Sequence, residues 1–168
     1  MTALTRLEDK IGEVIGLAMA SQVATGLVIE LTREVDPDLA DRLEEMKDEA
    51  AETEGRATEL AGTFAGKTPA VLERARGVRA KSVAMLASYL DTGSDALDGF
   101  EFLTMSVAAE VAHWSVLTQF NVRVEDEDLA DLIAWAMPAQ MQHLQLVLEG
   151  SRELAAEFDP ETLVSSGD

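Results

Sequence analysis

The chain has 168 residues, 47% of them apolar and 27% charged, which is enough to build one hydrophobic core and too apolar for intrinsic disorder. Cysteine is absent, which excludes disulfides, thiolate metal sites and thiol nucleophiles. Against 32 Asp and Glu stand 13 Lys and Arg, a formal net charge of −19 that disfavours nucleic acid and anionic membranes and favours cations or basic partners.

Aromatic residues are scarce, and Ala, Leu, Glu and Met recur at spacings of three and four almost throughout, so the chain reads as all-α. Met1 to Arg6 lead straight into charged Glu8, Asp9 and Lys10, not into an apolar leader, and no apolar run is read as long enough to span a membrane. A cytoplasmic protein is expected. The first helix is predicted from Thr5 to Val35, with Leu7, Ile11, Val14, Ala18, Gln22, Thr25 and Ile29 on one stripe. Asp36 caps a second helix that starts at Pro37 and runs to Ala65, with its seam from Leu39 to Phe64.

Gly66 to Pro69 break the chain, with Thr68 as N-cap of a shorter third helix that ends at Leu90. Val71, Ala75, Val78, Ser82, Met85 and Tyr89 form its predicted apolar side, opposite Arg74, Arg76, Arg79 and Lys81. A loop from Asp91 to Gly99 precedes a fourth helix from Phe100 to Arg123, and an acidic turn leads into a fifth from Glu127 to Phe158. Two hairpins of long helices joined through a crossover helix make a four-helix bundle, one domain over residues 1–159 with a flexible polar tail over 160–168. Leu17, Leu27, Val28, Leu31, Leu72, Leu86 and Leu146 exceed what one bundle core covers, which predicts a homo-oligomer, a dimer or larger.

Polar groups interrupt the core stripes at one height. Glu110 sits inward between Val107 and Trp114, with His113 three residues on. Gln140 and His143 repeat that spacing on the fifth helix, at the level of Glu110 if the two helices fold back near Val124. A carboxylate and an imidazole at i and i+3 can converge on one metal ion. Gln22, Glu49 and Glu52 are further candidates at about the same height, and Glu101 is too near a helix start to join them. Pro138 is expected to kink the fifth helix beside the site, and Met105, Met137 and Met141 read as core filler.

The architecture and the Glu110-x-x-His113 motif resemble the ferritin-like superfamily, in which rubrerythrin-like and stress-associated bundles hold two iron or manganese ions between four helices. The resemblance covers the first, second, fourth and fifth helices and implies metal-ion binding through Glu110, His113, Gln140, His143, Gln22 and Glu49 or Glu52, with iron or manganese favoured and zinc possible. It implies iron sequestration, or a ferroxidase-like or peroxide-handling oxidoreductase. The chain departs from the family pattern: the x-x-His pairs fall on adjacent helices, Glu49-x-x-Glu52 has no His, and Gln140 stands where a carboxylate is expected. A partial or degenerate centre is therefore one expectation. The other is a metal-free bundle acting through oligomerisation or a protein partner, with the same polar groups setting its packing.

Overall fold

The computed structural model describes residues 3–162, which fold into five helices with no strand among them: α1 (Arg6–Thr32), α2 (Pro37–Gly62), α3 (Thr68–Tyr89), α4 (Ala96–Val124) and α5 (Glu127–Ala156). Residues 163–168 of the expected tail lie outside the described residues. The caps explain most boundaries. Thr5 and Glu8 form a reciprocal capping box at α1, Asp36 accepts from the Leu39 amide with Pro37 at N1, and Asp126 accepts from the Leu129 amide. The loop before α4 is shorter than predicted, because Asp95 and Asp98 build a second capping box that starts the helix at Ala96. Thr68 does not cap α3; Lys67 takes that position, and the Thr68 hydroxyl donates to the Ala61 carbonyl at 2.9 Å, tying α3 to the end of α2. The fifth helix runs unbroken through Pro138.

Contacts place α1 and α2, and α4 and α5, as antiparallel hairpins, with α1 also against α4 and α2 against α5. Around the bundle the order is α1, α2, α5, α4. The crossover α3 packs along α1 and runs parallel to it, because Gly12 faces Val71 and Arg74 while Gly16 faces Ala75 and Val78. A Cβ at Gly12 would come within 2.8 Å of the Val71 carbonyl oxygen, and one at Gly16 within 2.7 Å of the Val78 side chain. Glycines four residues apart thus open a flat track for α3.

The core is layered. One apolar cluster, which includes Val28, Leu43, Phe100, Leu103 and Val147, fills the end of the bundle near the α1–α2 turn. A second, with Ile15, Ala57, Trp114, Leu117 and Ile133, fills the other end. Between them lie the buried polar residues Ser21 and Thr25 of α1, Thr53 of α2, Glu110 of α4, and Gln140 and His143 of α5. Every bundle helix contributes to this middle layer.

Several expectations are corrected. Helix α1 is long and apolar enough to cross a membrane by length and composition, having no charge between Glu13 and Glu30; with α2, α3 and α4 on three sides, 61% of its most apolar window is buried. On α3 the buried face is Val71, Ala75 and Leu86, while Met85 and Tyr89 are exposed. Of the leucine and valine surplus read as an oligomer surface, Val28 and Leu86 belong to the core, Leu17, Leu31, Leu72 and Leu146 are half-buried, and Leu27 is exposed. Met105 and Met141 are exposed, so they do not fill the core; Met137 packs against it.

Candidate functional site: a buried polar layer

Among the described residues Glu110 is the one buried carboxyl, and it lies in the middle layer. It points to the bundle axis because Leu103, Val107, Trp114 and Leu117, at helical spacing around it, are all buried. Burial pushes its pKa up to about 7, and the Ser21 hydroxyl and Gln140 amide beside it only partly counter this. Neither neighbour carries charge. Among the described residues the Oε1 atom of Glu110, both amide atoms of Gln140 and the Thr25 hydroxyl have no hydrogen-bond partner, so this is a buried polar centre short of protein donors and acceptors.

The two histidines do not meet there. His143 Nε2 donates to Glu49 Oε2 at 2.6 Å across the α2–α5 seam, and its pKa is lowered because burial outweighs the attraction of Glu49. His113 turns to the opposite seam, between α1 and α4. Its Nδ1 donates to the Ala109 carbonyl at 2.8 Å, and its Nε2 lies 3.3 Å from Glu13 Oε2. Helix geometry gives the reason. A residue three positions on is rotated about 60° short of a full turn. On antiparallel helices those offsets run in opposite senses when viewed down the bundle, so with Glu110 and Gln140 both aimed at the axis, one imidazole swings toward α1 and the other toward α2.

The remaining candidates are also dispersed. Gln22 donates to Glu54 Oε2 at 2.6 Å on the α1–α2 seam. Glu52 pairs with Arg56 at 2.6 Å on the outer face of α2. Thus the structure joins Glu110 with Gln140 and His143 with Glu49, and separates His113, Gln22 and Glu52 from both pairs.

Sequence reasoning missed Glu13. Its carboxylate bonds Lys10 and the Arg74 guanidinium of α3, and Arg74 Nε also reaches Asp9 at 2.9 Å. Burial alone would raise the Glu13 pKa, but Lys10 and Arg74 together hold it below the usual carboxylate range. No local signal marks this cluster, since Glu13 and Arg74 are 61 residues apart. Ser21 was also missed, although it stands one turn before Thr25 of the predicted stripe inside an apolar stretch, a spacing that puts the two hydroxyls on one face.

Among the described residues no group of three or more His, Asp or Glu side chains gathers where it could hold a metal ion. Iron, manganese and zinc sites need more converging donors than Glu110 or the Glu49–His143 pair supplies. The residues present do not fit the dinuclear centre that the ferritin-like resemblance implies. No protein-family model, curated protein or solved structure matches the chain, so that resemblance stands on its motif and helix order alone.

Proposed function

We propose that the chain is a metal-free helical-bundle protein that works through its surface, by association with other protein, while its polar middle layer fixes how the helices register. The observation that carries this reading is the separation of the two histidines onto opposite seams, each against its own glutamate. A layer of unlike polar groups between two apolar layers penalises a shift of any helix by one turn, because Glu110 or Gln140 would then enter an apolar layer. Register control of this kind suits a rigid interaction module.

Thermal melts test the reading. Addition of millimolar Fe(II) under anaerobic conditions, Mn(II) or Zn(II) is expected to leave the melting temperature unchanged, since a ligand that binds the folded state raises it. A rise with any of these metals that disappears in His143→Ala or Glu110→Gln would overturn the proposal and restore the metal-binding bundle of the ferritin-like resemblance.

A further inference from the structure

The charges of this chain are distributed unevenly. Helix α2 carries 12 Asp, Glu, Lys or Arg among its 26 residues. From Phe102 to Val122 on α4 the only such residue is the buried Glu110, and from Leu132 to Leu148 on α5 there is none. Both stretches nevertheless have an outer face in water. Met105, Ala108, Ala112, Val116 and Gln119 are exposed along α4, and Pro138 and Met141 continue the face onto α5. The result is a neutral, partly apolar surface about 33 Å long and about two helix widths across, on the order of the ~800 Å² per partner of a standard interface.

Two charges close the ends of this face on α4. Glu101 and Arg123 are exposed, and among the described residues neither takes part in an ion pair. They stand eleven residues on either side of Ala112, one before it and one after.

We infer that this face binds a second copy of the chain, with α4 antiparallel to α4 of the partner and the two-fold axis at Ala112. This deepens the interaction reading above and rests on it. The occupant follows from charge. Two copies at −19 repel through their acidic faces, and a neutral face is where like-charged molecules can come together. A basic partner would be drawn to α2 instead. A two-fold contact must be complementary to itself, and the antiparallel arrangement brings Glu101 opposite the partner's Arg123 at both ends. A parallel arrangement would set Glu101 on Glu101 and Arg123 on Arg123. Small residues at the centre, Ala108 and Ala112, allow the two helices to approach closely.

Sedimentation equilibrium of the full chain at tens of micromolar is expected to give a dimer. Ala112→Glu should give a monomer with an unchanged circular dichroism spectrum, because Ala112 is exposed in the single copy. Glu101→Arg or Arg123→Glu alone should weaken the dimer about tenfold, since each creates two like-charge contacts, and the double variant should restore it. Ala112→Cys, in a chain with no other cysteine, should oxidise to a covalent dimer, while Ala51→Cys on α2 should not. A monomeric wild type, a dimer that survives Ala112→Glu, or a double variant no tighter than the single ones would each overturn the inference. Because the metal melts probe the interior and sedimentation probes this surface, failure of one is distinguishable from failure of the other.

Discussion

Glu110 of α4 and Glu13 of α1 are glutamates withdrawn from water on neighbouring helices, yet they titrate in opposite directions. Burial acts on both. At Glu110 only the neutral Ser21 and Gln140 oppose it, and the pKa rises to about 7; at Glu13 the cations of Lys10 and Arg74 outweigh it, and the pKa falls. The difference shows that depth alone does not set the state of a buried carboxyl here. What decides is whether a cation stands beside it: Lys10 of α1 itself and Arg74 of α3 reach Glu13, and no cation reaches Glu110.

The largest expected effect comes from removing the charge without a partner. Above its unfolded pKa near 4.5, Glu110 in the folded chain still holds a proton that the unfolded chain has released, so stability falls as pH rises and the loss is complete above about pH 7. The full difference is about 3 kcal/mol. Glu110→Gln should therefore be more stable than wild type by about that amount at pH 8 in urea unfolding, with the gain shrinking toward zero near pH 4.5. A gain that does not change with pH would show that Glu110 stays ionised in the folded chain.

Glu13→Gln should do the reverse, at smaller scale. Its lowered pKa gives stability that is present above pH 4.5 and is lost as pH falls through the folded value. At pH 7 the variant should lose about 1–2 kcal/mol, and the two unfolding curves should converge in acid. If the double variant Lys10→Met with Arg74→Met leaves the Glu13 titration, followed by NMR, where it is in wild type, counter-charge is not the cause of the contrast.

The smallest effect is expected at His143, where the pair with Glu49 is half open to water. Its lowered pKa means that below pH 6.5 the unfolded chain takes up a proton the folded chain resists, so stability falls with pH there. His143→Gln should flatten that acid slope while changing stability at pH 7 by under about 1 kcal/mol. An imidazole that titrates above pH 6.5 by NMR would reverse the sign and show Glu49 dominating burial.

Much of the scaffold was legible from local signals. Asp36-Pro37, the Gly66–Pro69 break and Asp126 act within a few residues of the ends they set, and the inward aim of Glu110 followed from Val107 and Trp114 on the same stripe. The level pairing of Gln140 with Glu110 followed from equal helix rise on each side of one turn. The histidine assignments were not legible in the same way. Spacing places Glu110 and His113 on neighbouring faces, but whether the 60° offset turns His113 toward α5 or toward α1 depends on the order of helices around the bundle.

By itself the sequence determined that this chain is helical, where α1, α2 and α5 start, that each bundle helix carries a polar group at about one height, and that residues 102–122 of α4 and 132–148 of α5 hold a single Asp, Glu, Lys or Arg between them. These properties are set by near neighbours and composition, which act over one or two turns. The tertiary structure alone decided that α3 lies along α1 on the Gly12 and Gly16 track, that Arg74 reaches Glu13, and that the two histidines part to opposite seams. Each of those outcomes joins residues far apart in the chain through the packing order of rigid helices, and that order is chosen by the sum of buried contacts over the whole core, which no local pattern contains.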